Sequence, residues 1–404
     1  MSLISEIRLP DLLGLGRLVI AASAEVTGVV EAVQSAVAAP CALPGNAPPG
    51  RTRAVTGLVY RSIRGCYRLV DAGIEDLLTH CAPRRDDPLP STFAREAVLA
   101  ALNGVCGDYL AASDNPLAIR MSLRRQGQSL VLESKALAAA LPDATGKLLV
   151  LVHGLCMSDR QWAHEGKDYG TSLAREGGYT QVYLHYNSGL HISTNGRGFA
   201  DLLEALVQAW PQPITELAII GHSMGGLVSR SACYYGRAAG HTWPGYLRKL
   251  IFLGTPHHGS PWERIGNWTG ILLGATPYTA PIRRLGAKRS TGITDLRYGN
   301  LLDEDWETLD RFAYTPDSRR PLPLPDGVRC YALAGSLGAV SGDLKDRLLG
   351  DGMVSVASAL GRHENAGRDL AFPRSQQQVI YNLSHKDLIY APEVLARLQE
   401  WLAS

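Results

Sequence analysis

Short, almost uninterrupted apolar runs alternate with stretches of helical periodicity from about residue 115 to the end of this chain. The runs are KLLVLVHG from 147, QVYLHYN from 181, LAIIGHS from 217, KLIFLGTP from 249, VRCYALAG from 328 and QVIYNLSH from 378. Runs this short and this apolar suit strands covered on both faces. Helical patterns follow at about 196–210, 224–239, 354–361 and 391–403. Such βαβ alternation predicts an α/β fold with a mostly parallel central sheet, helices on both faces and right-handed crossovers. In sheets of this kind, sites form beyond the carboxyl ends of the strands.

The first part of the chain reads differently. Residues 1–112 carry helical spacing in three segments. They are 9–38, then 53–80 with Val59, Ile63, Tyr67, Val70, Ile74 and Leu77 on one face, then 92–112 with Phe93, Ala97, Ala100, Ala101 and Leu110. Pro/Gly-rich loops, CALPGNAPPGR and APRRDDPLPS, separate them. The expected division is an N-terminal helical region over 1–112 and an α/β domain over 113–404. At the start of the second part, a hairpin is expected to turn at Gln126-Gly127. Between Gly259 and the strand at 328 lie roughly seventy residues, far more than an ordinary αβ connection. An insertion over about 260–327 is therefore expected. The basic run Arg283, Arg284, Lys288 and Arg289 within it reads as a solvated face.

Charge and cysteine usage narrow the picture. Forty basic and 38 acidic residues leave a formal net charge of +2, which gives no electrostatic footprint for nucleic acid. The seven cysteines are scattered and include no Cys-x-x-Cys pair, so neither a disulfide framework nor a zinc site is expected. The start, MSLISEIRLPDLLGLG, lacks a basic leader, and Glu25 and Glu31 interrupt the apolar stretch Leu18–Ala38. A cytoplasmic protein is the expectation. For the N-terminal helices two placements stay open, docking on a lipid droplet, granule or membrane face or packing on the α/β core, and the second is favoured.

The chemistry lies at the strand ends. Gly221-His222-Ser223-Met224-Gly225 follows an apolar strand and opens a helix. A serine on such a strained turn is a nucleophile elbow, flanked by glycines because strand and helix approach closely there. Acyl transfer creates an oxyanion that needs two fixed donors. One is expected to be the N–H of Met224, the other the N–H of Leu155 in the HGL turn after the strand from 147. His153 in that turn reads as structural and Cys156 as a buried thiol. Eleven histidines compete to be the base. His385, past the last strand, occupies the third place in the order Ser, acid, His, whereas His257 and His258 precede the acid and His222 points away from the serine. Asp351 is the expected acid, since Gly352 permits a tight turn, with Asp343 and Asp346 as rivals in the same loop. In YNSGLHISTNGR, Asn187, His191 or Asn195 could touch substrate, but capping of the next helix by Ser193, Thr194 and Asn195 is favoured.

Taken together, VLVHGL, GHSMGG, FLGTPHHGS, DGMVSVASA and NLSHKD resemble the lipase-like α/β-hydrolases, in particular bacterial triacylglycerol lipases and GPI inositol-deacylase-like esterases. The likeness covers about 146–404. It implies an α/β-hydrolase fold with a helical lid over about 260–327, while the N-terminal helical extension over 1–112 has no counterpart in the minimal lipase pattern. It also implies Ser223 as nucleophile, Asp351 as acid, His385 as base, and Leu155 with Met224 as oxyanion donors. His257, Trp262 and Trp268 would line the substrate pocket beneath an apolar cap. The expected substrate is a small-molecule or lipid ester with an apolar acyl part, and the chemistry needs no metal or organic cofactor. An acyltransferase or thioesterase would use the same three side chains, and a binding module on this fold would need none of them.

Overall fold

The computed structural model describes residues 10–11, 13–20, 91–165, 167–260, 289–308, 310, 316–342, 346 and 349–404. The expected helix at 53–80, most of 9–38, Asp343, Trp262, Trp268 and the basic run at 283–288 lie outside the described residues. Two compact units are present, Met1–Leu89 with Ser113–Leu117, and Pro90–Ala112 with Ala118–Ser404. In the first, residues 13–20 are helical and Asn115 Nδ2 donates to the Gly14 carbonyl at 3.1 Å.

The second unit contains the sheet. Its strands are β1 (Ser122–Arg125), β2 (Gln128–Ser129), β3 (Lys147–Val152), β6 (Thr180–His185), β7 (Glu216–His222), β8 (Leu247–Leu253), β9 (Arg329–Ser336) and β10 (Gln377–Tyr381), with β4 (Ala163–His164) and β5 (Lys167–Asp168) forming a small separate ribbon. The eight strands lie in the order β10-β9-β8-β7-β3-β6-β1-β2. From β10 to β6 every pairing is parallel, while β1 joins β6 antiparallel. Each of the six apolar runs is one of these parallel strands. The hairpin turns where the sequence places it: Gln126 and Gly127 take φ of 53° and 76°, and Arg125 pairs with Gln128. Positive φ at both turn positions matches the twist of the flanking strands.

The helices of this unit are α1 (Phe93–Ala112), α2 (Ser134–Ala140), α3 (Tyr169–Gly177), α4 (Ile192–Ala209), α5 (Met224–Ala238), α6 (Thr291–Asp295), α7 (Val356–Ala359) and α8 (Pro392–Ala403). Because side chains alternate along a strand, β3 serves two cores. Leu148, Val150 and Val152 pack with Phe199 and Leu203 of α4 and with Leu227 and Val228 of α5. Leu149 and Leu151 pack with Leu173 of α3 and with Val394, Leu398 and Trp401 of α8. Each fully buried side chain of this size contributes roughly 1.5–3 kcal/mol. Opposite the strand ends that carry the motifs, Lys249 Nζ is buried and donates to Glu216 Oε1 at 2.8 Å and to the Leu402 carbonyl at 2.7 Å. That knot ties α8 to the amino-terminal edge of the sheet.

Candidate active site

Ser223 stands between β7 and α5 with φ 53° and ψ −124°. This backbone region is costly for a residue with a side chain and persists only when the surroundings over-determine it. Here they do: Ser223 N donates to the Leu253 carbonyl at 2.8 Å, and Gly226 N donates to the Ser223 carbonyl at 3.0 Å. The glycines have a steric reason. A Cβ on Gly221 would lie 2.6 Å from Gly226 Cα, and one on Gly225 would lie 2.4 Å from the Val152 carbonyl oxygen. Crossing of helix and strand at this distance leaves no room for either methyl.

His385 and Asp351 meet beside this turn. His385 Nδ1 and Asp351 Oδ2 are 2.7 Å apart, both groups buried. The other carboxylate oxygen, Oδ1, accepts from Met353 N at 3.0 Å and Val354 N at 2.8 Å, and His385 N donates to the Asp351 carbonyl at 2.9 Å. The carboxylate is thus aimed by its own turn, with Gly352 at φ 96°. The rival Asp346 is occupied otherwise, accepting from Ser336 Oγ at 2.8 Å and Gly342 N at 2.9 Å. His385 Nε2 is buried and, among the described residues, has no hydrogen-bond partner, so the Ser223 hydroxyl is not bonded to it in this conformation. His222 lies against the same ring, with centroids 4.8 Å apart, and its Nε2–H donates to the His385 carbonyl at 3.1 Å. Burial, then the neighbouring His385, hold the His222 imidazole well below its ordinary pKa, so it serves as a neutral prop.

The turn after β3 closes the other side. A Cβ on Gly154 would lie 3.1 Å from Ser223 Cβ, which places this turn against the serine. Among the described residues Leu155 N–H has no acceptor. Met224 is the first residue of α5, where an N–H has no intrahelical acceptor. His153 is buried. Its Nδ1–H donates to the Gly154 carbonyl at 2.9 Å, its ring stacks on Tyr186 at 4.3 Å, and burial first of all pushes its pKa down to about 3. It shapes the turn as a neutral imidazole and carries no charge in the neutral range. Burial pushes the Cys156 thiol up to about 12, which leaves it inert.

The remaining candidates hold the frame around this corner. Asn187 Nδ2 donates to the Gly107 carbonyl of α1 at 2.9 Å, and Asn195 Nδ2 donates to the Asn187 carbonyl at 2.9 Å. The favoured cap of α4 by Ser193, Thr194 or Asn195 is not made. His191 is the capping residue without a side-chain bond, and Asp295 from α6 accepts from Ile192 N at 2.9 Å instead. A carboxylate brought in by tertiary structure satisfies the helix start more fully than the local hydroxyls. His257 is wholly buried, its Nδ1 3.3 Å from Arg230 Nη1, and His258 Nε2–H donates to the Gly361 carbonyl at 3.0 Å. Two cavities, of about 290 and 260 Å³, open beside the 295–323 segment. Neither is lined by Ser223, Asp351 or His385; His191 lines the first and His257 the second. Sequence reasoning missed Asp295, Trp306, Arg230 and Arg319, which build these cavities. Only an arginine inside an otherwise buried helix face, at 230, left a signal. A metal has one conceivable seat among the described residues, where ligand atoms of Glu96, Asp159 and His185 lie within 4.8 Å of one another. Arg124 Nη1 already bridges the two carboxylates at 3.1 and 3.2 Å, so this is an ion-pair network.

A family model described as PGAP1-like alpha/beta domain matches residues 143–315, which takes in Leu155, Ser223 and Met224 but ends before Asp351 and His385. A triacylglycerol lipase of Burkholderia plantarii is 32% identical over 137 residues, 33% of this chain. The matched stretch spans 36% of that lipase's length. Among solved structures, the mature form of the Bacillus licheniformis lipase BlEst2 is similar with a TM-score of 0.42 and 20% identity, over 63% of this chain and 91% of that one. An esterase of Pyrococcus furiosus is similar with a TM-score of 0.37 and 13% identity, over 64% of this chain and 82% of that one.

Proposed function

We propose, for a chain that belongs to the lipase-like α/β-hydrolase superfamily, the activity of a serine carboxylic-ester hydrolase working through Ser223, His385 and Asp351 on an ester with an apolar acyl part. One observation carries this reading. A strained elbow serine adjoins a buried His–Asp pair in which the carboxylate holds Nδ1 at 2.7 Å while Nε2 has no partner among the described residues. That arrangement fixes the tautomer with the lone pair on Nε2, the form a general base needs.

In the proposed reaction, Ser223 Oγ bonds to the ester carbonyl carbon as its proton passes to His385 Nε2. The carbonyl π pair moves onto oxygen, and the N–H groups of Leu155 and Met224 receive that oxyanion. Asp351 stabilises the imidazolium without taking its proton. Collapse of the tetrahedral intermediate breaks the bond to the alcohol oxygen, which leaves with the proton from Nε2. Water then attacks the acyl-enzyme, gives its proton to Nε2, and Ser223 Oγ departs with that proton. The serine–imidazole hydrogen bond tightens when substrate excludes water from the corner.

The test is fluorophosphonate labelling, followed by turnover of p-nitrophenyl esters of graded chain length. Wild type is expected to label at Ser223 and to prefer longer acyl chains up to a limit. Ser223→Ala is expected to lose label and about 10⁴-fold or more in turnover. Labelling that persists in Ser223→Ala at another active-site residue sinks the assignment.

A further inference from the structure

Arg230 lies in α5 and is 4% exposed. Among the described residues it meets no carboxylate. Its Nη2 donates to the Leu322 carbonyl, its Nη1 lies 3.3 Å from His257 Nδ1, and its Nε is buried with no partner among the described residues. The charges that act on it are those of Arg319, a like charge, and the thiols of Cys233 and Cys330. Burial pushes both thiols up to about 12, so neither supplies an anion at neutral pH. Buried guanidinium groups are ordinarily paired, because an isolated charge pays its full desolvation cost. Burial and then Arg319 bring the pKa of Arg230 down to about 9, which still leaves it charged in the neutral range.

This guanidinium is at the floor of the cavity of about 260 Å³, whose wall also carries Arg319, Arg320 and Arg368. The carboxylates nearby are already engaged, and Glu304 pairs with Arg320 at 2.8 Å. Asp317 pairs with Arg319 at 3.1 Å and with Arg368 at 2.8 Å. Asp305 accepts from the backbone N–H groups of Leu301, Leu302 and Arg320, and Asp369 from those of His363 and Ala371. Of the four guanidinium groups in the lining, Arg319 and Arg368 thus share Asp317 and Arg320 has Glu304, and Arg230 is the one that, among the described residues, has no carboxylate. Exposure grades along the cavity: Arg320 and Gly367 are at an exposed rim and His257 at a wholly buried floor.

We propose that this cavity binds a phosphate group, with Arg230 anchoring it at the floor and Arg320 guiding it from the rim. The guanidinium groups come from α5, from the 319–320 segment and from 368, and so approach from several sides. A planar carboxylate accepts one fork, whereas a tetrahedral phosphate offers oxygens to several. The volume exceeds that of a lone phosphate by enough to admit a small carrier, so the group arrives either as free phosphate or on a headgroup such as glycerol phosphate. The site is separate from Ser223, and its failure would leave the esterase reading standing.

Calorimetric titration of the full chain with inorganic phosphate, with sn-glycerol 3-phosphate and with acetate tests this. One saturable site for phosphate is expected, about tenfold or more weaker in Arg230→Met and several-fold weaker in Arg320→Gln. Circular dichroism verifies that each variant is folded; should Arg230→Met not fold, Arg230→Lys, which keeps the charge and loses the fork, replaces it with the same expected loss. Glycerol phosphate binding about tenfold tighter than inorganic phosphate assigns the headgroup source, and equal binding assigns free phosphate. No saturable heat from either ligand up to about 10 mM, affinity unchanged in both variants, or acetate binding as tightly as phosphate, each overturns the proposal.

Discussion

Two histidine–aspartate pairs in this molecule share a bond and differ in everything around it. His385 Nδ1 lies 2.7 Å from Asp351 Oδ2, and His191 Nδ1 lies 3.0 and 3.1 Å from the two oxygens of Asp295. Asp351 gives one oxygen to the imidazole and the other to its own turn, and the far nitrogen of His385, next to the elbow, has no partner among the described residues. Asp295 spreads over His191, Ile192 N and Asn300 Nδ2, and the His191 ring is laid flat on Trp306 at 3.6 Å. Trp306 Nε1 in turn donates to Ser193 Oγ at 2.9 Å. The second pair clamps the start of α4 to α6. An imidazole held by a buried carboxylate is therefore no signature of catalysis by itself; what the outer nitrogen faces decides.

The comparison breaks most visibly in rate. Asp351→Asn is expected to lower turnover of an ester substrate by about 10⁴-fold, because the amide favours the wrong tautomer of His385 while leaving the packing intact. Asp295→Asn is expected to leave turnover within about threefold. Parallel kinetics on the two variants settle it, and equal losses would erase the distinction drawn here. The elbow gives the next largest effect. In Gly225→Ala the new methyl meets backbone carbonyls of Val152 and His153 at 2.4 and 2.5 Å, neither able to move without disturbing β3. A loss of about 3 kcal/mol or more in urea unfolding is expected. A variant that unfolds at the wild-type midpoint would show that the strand and helix are not held at this separation.

How much of this was legible in the sequence follows from where each constraint acts. The six parallel strands were readable because each is buried on both faces and carries its apolar run within a few residues. The elbow was readable because the steric demand falls on glycines adjacent to the serine. Chain order and a neighbouring glycine single out His385 and Asp351 in the sequence, and the bond between the two closes over 34 residues of separation. The cap of α4 misled, since Ser193, Thr194 and Asn195 look sufficient and the better acceptor, Asp295, comes from about a hundred residues away. α1 is a similar case: grouped with the N-terminal helices by its spacing, it packs within the sheet-bearing unit, where Gly104 and Gly107 allow Cys156 and Asn187 to approach. No local pattern encodes a contact of that range.

The second pair sharpens the comparison through stability. If Asp295 is a clamp, Asp295→Asn should cost about 1–2 kcal/mol, the size of a lost helix cap with a weakened charge-assisted bond. Urea unfolding reads this directly. A variant as stable as wild type would mean that His191 and Ile192 find other partners, and the clamp reading would fall.

A third meeting of histidine and carboxylate, at the edge of the sheet, gives the smallest effect and extends the comparison to pH. His185 lies 3.3 Å from Asp159 and 3.9 Å from Glu96, with Arg124 bridging both acids. Burial alone would raise the Glu96 carboxyl, but Arg124 and then His185 outweigh it and hold it below its ordinary value of 4.5. Burial likewise opposes, and His185 followed by Arg124 overcomes, at Asp159, whose ordinary value is 3.8. A carboxyl lowered on folding contributes stability that is fully present above its unfolded pKa and is lost as pH falls through the folded one. Glu96→Gln mimics the protonated acid, so it should cost roughly 1 kcal/mol at pH 7, and the gap from wild type should close as pH drops below about 4.5. Urea midpoints measured from about pH 7 to 3.5 decide it. A gap that stays constant over that range would mean that Glu96 binds its proton equally in the folded and unfolded chain, and that Arg124 and His185 do not hold it below its ordinary value.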